Sequence, residues 1–410
     1  MSKTVDKVAA DDGKFKKPAW LKEFSVGLTQ GFDSNVYLID HAASDGVPSD
    51  HGTAFTAFNP RVAVSLVPLL NTKSLTALDF YYDATVTQYW DASTENNTRH
   101  KFGAALAGSL SDSFSYKVSN EFIYVDGGKR GDRYLFDPGT GANAYAYGLT
   151  RERKEQFQDR LNISAKQQLG NFFVRPVASL LYYDLLTKAE AGYANYPDRY
   201  DLNGGLDLGY QINQDVAVFV GYRYGHQFQG ILPGLTTRQF SSDYQRVLFG
   251  VEGKPVKWLT LNLQGGPDFR KYEYDYAGAD TPDVTYYFTG SVIADITSKD
   301  SLTLAANHFQ FVSSTGQTSY FDRVTSLTYK RKLTDALTGS VGGQVWQSDY
   351  DQGPRNDLVY GIVAGLSYKF DDHWSASLDY AYRRGDNEVD SIPDREYTEH
   401  TVSVSVKWKL

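Results

Sequence analysis

Every second residue from Leu358 to Phe370 is apolar: Leu358, Tyr360, Ile362, Ala364, Leu366, Tyr368 and Phe370. Side chains with a period of two lie on alternate faces of a β-strand, so this stretch carries one apolar face along its whole length. The last ten residues repeat the pattern. Val402, Val404, Val406, Trp408 and Leu410 face one way, while Thr401, Ser403, Ser405, Lys407 and Lys409 face the other. Such a strand with no tail leaves an edge that pairs with other chains unless the sheet closes on itself. In a membrane barrel the last strand pairs with the first, and no edge remains.

The same period runs through the chain. It predicts strands from a first one near Trp20–Gly31, through Ala57–Val67 and Thr285–Ser298, to a last one near Thr398–Leu410. Ser301–Ser313 and Tyr320–Arg331 alternate poorly, which leaves their register open. The count is about 18 strands, within two either way. Connections alternate as well. Leu169-Gly170-Asn171, Asn213-Gln214-Asp215, Ser298-Lys299-Asp300 and Asp371-Asp372-His373 are short, whereas Phe32–Phe55, Asp126–Arg153, Leu185–Arg199, Phe228–Ser242 and Tyr272–Val284 are long. Short turns on one rim and long loops on the other are the pattern of a transmembrane antiparallel up-and-down β-barrel, with short periplasmic turns and long extracellular loops. A propeller would need a fixed repeat of about 40–50 residues, and none is present.

Composition agrees with this all-β reading. No run reaches the roughly 20 apolar residues of a membrane helix, and mean hydropathy is only -0.44. Barrel strands conceal their apolar residues by alternation. The chain has 36 Gly, 31 Tyr and no Cys, a mix that suits strands, tight turns and interfacial aromatic girdles. The net charge of -8 is spread over both signs, with no single-sign tail, so no nucleic-acid partner is expected. Residues 1–19 form a polar lead without an apolar export core, expected as a periplasmic segment ahead of a barrel over 20–410. The outer-membrane reading therefore requires an export signal removed ahead of it.

Opposite the apolar face, alternation collects charged residues. Asp79, Asp83, Glu121, Arg160, Lys166, Arg175, Asp207, Arg223, Arg246, Glu252, Asp268, Arg270, Asp295, Lys369, Asp379 and Arg383 share that parity and are the expected pore lining. A lipid-facing Arg or Lys near mid-bilayer would cost about 2–4 kcal/mol, which assigns these residues to water. Pairing across neighbouring strands, which would only stiffen the wall, is the simpler role they could share. Mixed signs predict weak ion selectivity. Tyr183, Tyr287, Tyr320 and Trp346 fall where they could stack on sugar rings, whereas Tyr82, Tyr124, Tyr182, Tyr222, Tyr224 and Tyr382 read as girdle residues. The loop Asp126–Arg153 is a candidate for folding inward to narrow the pore.

Chemistry finds little support. His41, His51, His100, His226, His308, His373 and His400 sit in no zinc or nucleotide motif, and read as rim and interface residues. Asp349-Tyr350-Asp351-Gln352-Gly353 opens like a calcium loop, but Tyr360 stands where the closing Glu belongs. Asp132, Asp137, Asp275, Asp280 and Asp283 read as solvated loop acids, as does the turn Arg130-Gly131-Asp132. No catalytic residue, metal or cofactor is expected.

The segment Gly31-Phe-Asp-Ser-Asn-Val-Tyr37, after the first strand, is similar to one common near the start of certain outer-membrane barrels. With the strand pattern, the chain resembles the β-barrel porin family of Gram-negative outer membranes, some members of which are encoded with exopolysaccharide assembly genes. The terminal Trp408-Lys-Leu410 departs from the final Phe or Trp usual in the assembly signal. The resemblance implies a passive outer-membrane channel for small hydrophilic solutes. Its partners would be outer-membrane lipid, lipopolysaccharide and the barrel-assembly machinery. The alternative is an export channel for an exopolysaccharide. An outer-membrane enzyme or a surface-binding barrel is the further reading from other classes.

Overall fold

In the computed structural model the described residues are 17–38, 40, 49–70, 72, 74–127, 155–186, 198–230, 240–273, 283–312, 319–351, 356–387 and 396–410. They form a single sheet of 18 strands. In chain order these are β1 (Leu21–Asp33), β2 (Thr53–Ser65), β3 (Leu75–Tyr89), β4 (Asn97–Ser111), β5 (Phe114–Gly127) and β6 (Gln156–Leu169). Then come β7 (Phe172–Leu185), β8 (Arg199–Asn213), β9 (Val216–Gln229), β10 (Ser242–Val256), β11 (Leu259–Tyr272) and β12 (Val284–Ala294). The last six are β13 (Asp300–Val312), β14 (Ser319–Lys332), β15 (Leu337–Tyr350), β16 (Asn356–Lys369), β17 (Trp374–Asn387) and β18 (Tyr397–Lys409). Each strand runs antiparallel to its neighbour in sequence, and β18 closes on β1 with Val26 opposite Trp408 and Gly27 opposite Lys407. The barrel is closed. Its backbone donors and acceptors pair between strands along the wall, the condition for crossing lipid, except where the β12–β13 ladder stops at Phe288↔His308.

The alternation read from the sequence sorts residues to two sides. On β9, Val218, Val220, Tyr222 and Tyr224 are exposed on the outer face, while Phe219, Gly221, Arg223 and Gly225 are buried on the inner one. Leu358 to Phe370 and Val402 to Trp408 present their apolar sides outward in the same way. Strand limits depart slightly from the pattern. β2 starts at Thr53, ahead of Ala57, because Thr53 still pairs with Asp33. β12 ends at Ala294, short of Ser298, so Asp295 lies in the following turn.

Glycine and aromatic residues meet on the inner face. Phe55 lies opposite Gly31, Tyr81 opposite Gly103, Phe173 opposite Gly209, Phe219 opposite Gly250, Tyr244 opposite Gly225 and Tyr397 opposite Gly385. A Cβ added to any of these glycines would fall 1.9 to 2.4 Å from the facing ring. Each ring therefore occupies the space a side chain would fill, the glycine–aromatic pairing that fixes register in strongly curved sheets. This gives the Gly and Tyr enrichment a second role besides the girdle.

One rim carries short turns. Asp371 shows how they are held: its Oδ1 accepts the backbone N–H groups of His373 and Trp374, each at 2.7 Å. On the opposite rim the segment after β1 folds back as a strap. Asn35 Nδ2 donates to Asp40 Oδ1 (3.1 Å) and to the Thr398 carbonyl (3.2 Å), and Asp40 Oδ1 accepts the Thr398 N–H (2.8 Å). Val36 is buried against Tyr89 and Ala92, so the Asp-Ser-Asn-Val segment ties β18 to β3 across the closing seam.

Candidate functional site: the barrel interior

The inner face is built from ion pairs between neighbouring strands. Asp207 on β8 takes Arg175 of β7 at 2.8 Å and Arg223 of β9 at 2.6 Å, and Arg175 also reaches Glu252 of β10 at 2.8 Å. Asp268 on β11 takes Arg246 of β10 at 2.7 Å and Arg270 of its own strand at 3.0 Å. Arg246 and Asp268 side chains are each only 1% exposed. On the other wall Arg61 bridges Asp83 at 2.7 Å and Glu23 at 3.3 Å. There Glu121 takes both Lys101 and Arg160 at 3.3 Å, and Arg383 takes Glu399 at 3.0 Å.

Most of the residues singled out by parity lie on this inner face. Asp79 pairs with Lys22 at 2.5 Å, Lys166 stands over the Phe173 ring at 4.1 Å, and Asp379 accepts the Ser377 hydroxyl at 2.7 Å. Lys369 is at the short-turn rim, bound to Asp372 at 2.6 Å. Asp295 is the exception, exposed in the turn after β12 because that strand ends early. Glu23, Arg61, Lys101, Arg199, Asp201 and Glu399 share the inner face with them. Their alternation with apolar neighbours is the signal that could have found them.

The aromatic residues expected inside have a different surrounding from a sugar track. Tyr183, Tyr287 and Tyr320 are buried together with Leu181, Phe240, Leu248, Phe309, Phe311 and Val312. Guanidinium groups are interleaved among them. Arg199 stands 5.0 Å from both the Tyr183 and Phe311 rings, and Arg246 stands 4.0 Å from Tyr244 and 4.3 Å from Tyr287. Trp346 donates its indole N–H to Asp322 at 2.8 Å. The burial of these rings and guanidinium groups makes this half of the interior, among the described residues, packed rather than open.

The packing centres on the end of β13. The ladder between β12 and β13 runs from Ala294↔Leu302 only to Phe288↔His308, short of Val284 and of Val312. Beyond that point β13 stays paired with β14 through Val312↔Ser319 but leaves β12 and enters the barrel. Residues Asn307 to Val312 are buried without interruption, against the alternation elsewhere. Phe309 and Phe311 join the aromatic cluster. The side of Gln310 that alternation would send to lipid rests on the inner wall instead. The Gln310 carbonyl accepts Gln227 Nε2 (2.9 Å) and Arg270 Nη2 (3.1 Å), its own Nε2 donates to Tyr272 Oη (2.5 Å), and the Val312 carbonyl accepts Arg199 Nη1 (2.8 Å). The inward loop expected at Asp126–Arg153 lies almost wholly outside the described residues; the observed constriction is a strand end.

Near the long-connection rim His100, His226 and His400 lie on the outer face and His308 is buried beside the outward ring of Tyr286, each with Nδ1 tied to the barrel. His100 meets Tyr82 Oη (2.8 Å), His226 meets Asp243 (2.9 Å), His308 meets the Tyr286 carbonyl (2.7 Å) and His400 meets Tyr380 Oη (2.9 Å). Tyr82, Tyr124 and Tyr382 stack or tilt against these rings. His51 stacks on Tyr37, and His373 sits in a short turn against the Lys409 carbonyl. His226–Asp243 is a histidine–carboxylate pair at hydrogen-bond distance. Among the described residues no serine or threonine hydroxyl joins it as a nucleophile. His41, Asp132, Asp137, Asp275, Asp280 and Gly353 lie outside the described residues. Asp349 is bound to Arg323 at 2.6 Å and Asp351 to Gln310 at 3.0 Å, and among the described residues no group of acids and histidines forms a metal cradle.

Residues 301–410 match the family model described as Putative beta-barrel porin 2. The matched stretch begins in β13 and ends with β18, so it contains both the inward strand end and the strand that closes the barrel. Among solved structures, the chain is similar to OccK1 of Pseudomonas aeruginosa, with a TM-score of 0.46, 10% identity, and 95% of this chain and 98% of that chain covered. It is similar to the outer-membrane expressed OmpT of Vibrio cholerae, with a TM-score of 0.39, 11% identity and coverages of 97% and 100%. For the siderophore receptor PirA of Pseudomonas aeruginosa the TM-score is 0.42 and the identity 8%, with coverages of 96% and 81%. No curated protein matches the chain.

Proposed function

We propose that this chain is an outer-membrane channel through which small hydrophilic solutes diffuse passively. The observation that carries the reading is the division of a closed 18-stranded wall into an apolar outer face and an inner face of paired charges. A ring of that strand number is too wide for side chains alone to fill. The family match over residues 301–410 supports the same reading. The short turns would face the periplasm together with residues 1–19, and the long connections the exterior. Outer-membrane lipid and lipopolysaccharide would bound the tyrosine and histidine girdle, and the barrel-assembly machinery would insert the chain. No covalent chemistry is required.

Both charge signs line the inner face in pairs, so weak selectivity is expected. Burial of Tyr183, Tyr287 and Tyr320 against arginines favours this channel over a polysaccharide exporter, which needs a continuous accessible track. Planar-bilayer recording of the refolded barrel is the test. Ohmic current with a reversal potential close to zero in a salt gradient is expected. A correctly folded barrel that gives no current above baseline would sink the reading. Loss of a secreted polymer on deletion of the chain would favour the exporter instead.

A further inference from the structure

The inward end of β13 has two places to bind. Inside the barrel, its carbonyls at Gln310 and Val312 are held by Gln227, Arg270 and Arg199, and Phe309 and Phe311 are packed among aromatic residues. In the wall, the β12 edge beyond Phe288 continues the register already set by Phe288↔His308. Extended in that register, Tyr287 would meet Phe309, Tyr286 would meet Gln310, Thr285 would meet Phe311, and Val284 would meet Val312. The same alternation would then keep Phe309 and Phe311 on the inner face and turn Gln310 and Val312 outward at the rim.

We infer that residues Phe309–Val312 are a gate that moves between these two positions, closing the pore side of β7–β14 when inside and widening it when paired with β12. The inference rests on the channel reading and adds its regulation. Two observations outside the aromatic packing support it. Three of the latch bonds go to the Gln310 and Val312 carbonyls, the backbone groups that a lengthened ladder to β12 would pair instead. His308 stands at the fork, where its imidazole already occupies the Tyr286 carbonyl, and the ladder can lengthen from there once that bond is exchanged. A packed segment with two discrete sets of partners is the physical requirement for a switch. Loss of the Arg199 bond to the Val312 carbonyl, or of the Arg270 bond to the Gln310 carbonyl, weakens the inward state alone.

The natural chain has no cysteine, which makes the test clean. The double variant Thr285→Cys with Phe311→Cys is refolded reduced and recorded in planar bilayers before and after oxidation. Directly opposed residues on antiparallel strands lie about 4.5–5.5 Å apart, within disulfide reach. Crosslinking is expected, with a conductance that rises on oxidation and falls back on reduction. Arg199→Ala, recorded separately, is expected to raise the open fraction about tenfold or more, because it removes a charge-assisted hydrogen bond from the inward state only. Failure of the pair to crosslink, or crosslinking with unchanged conductance, overturns the gate while leaving the channel intact. Absence of current from every correctly folded form, wild type included, overturns the channel reading and the gate with it.

Discussion

The His308 ring lies parallel to the Tyr286 ring at 4.0 Å, and its Nδ1 sits 2.7 Å from the Tyr286 carbonyl oxygen. A carbonyl only accepts, so Nδ1 carries the proton. This contact stands at the last rung of the β12–β13 ladder, where a side chain replaces the next backbone bond. His308→Ala should therefore lower stability by about 1–3 kcal/mol, from one lost hydrogen bond and one lost ring stack. His308→Asn, which keeps a donor, should recover part of it. Urea unfolding followed by the gel mobility of folded and unfolded barrel measures both.

Asp268 stands between two arginines, and neither it nor they reach solvent. Asp268→Ala removes the buried carboxylate that both guanidinium groups share, at an expected cost of about 3–5 kcal/mol. Removing Asp372, which holds Lys369 at the exposed rim, should leave the unfolding midpoint unchanged. Equal effects from the two substitutions would mean that the inner face is far wetter than its burial implies.

The Gly225 position tests the glycine–aromatic pairing. An added Cβ would come within 2.3 Å of the Tyr244 ring, and Tyr244 Oη is committed to Asp201 at 2.7 Å. The ring has no free direction in which to yield. Gly225→Ala should cost about 1–3 kcal/mol, the usual penalty of overpacking. The double variant with Tyr244→Leu should be less harmed than the sum of its parts, which a double-mutant cycle reads directly.

Asp371 gives a pH dependence. The backbone N–H groups of Trp374 and then His373 hold its carboxyl below the ordinary range. A folded-state pKa below the unfolded value means a contribution that is fully present above the unfolded pKa and lost as pH falls through the folded one. Wild-type barrel should therefore unfold faster as pH drops below about 4, the ordinary aspartate value. Asp371→Asn should flatten that acid limb by lowering stability at neutral pH, where the ionised carboxylate contributes, towards the value wild type has in acid. An unaltered acid limb in the variant would assign the acid sensitivity to other carboxylates.

Much of this was legible in the sequence because a lipid-facing strand obeys one strong rule. Leu358 to Phe370 and Thr401 to Leu410 could be sorted to two faces residue by residue, and the strand count followed from the same period. Parity likewise gathered Arg175, Asp207 and Arg246 on the inner face. Their partners were beyond reach, since Arg175 meets Glu252 only after register and curvature are set. The glycine–aromatic pairs depend on register for the same reason. The weak alternation of Ser301–Ser313 was itself a signal: β13 breaks the rule where Asn307 to Val312 is buried on both sides. A rule derived from lipid on one face and water on the other cannot describe a segment that touches neither.

Arg61 and Asp83 keep 32% and 36% of their side chains exposed, whereas Arg246 and Asp268 keep 1% each. For a solute in the proposed channel the barrel is consequently eccentric. Its route would follow the β1–β5 wall, where Asp79, Asp83 and Glu121 remain partly exposed, and the arginine-rich wall behind β13 would be electrically silent to it. Charge reversal at Asp83 should move the reversal potential, while any effect of reversing Arg246 should be felt in folding alone. The barrel's strand number thus overstates its bore, and its conductance should be that of a narrower ring.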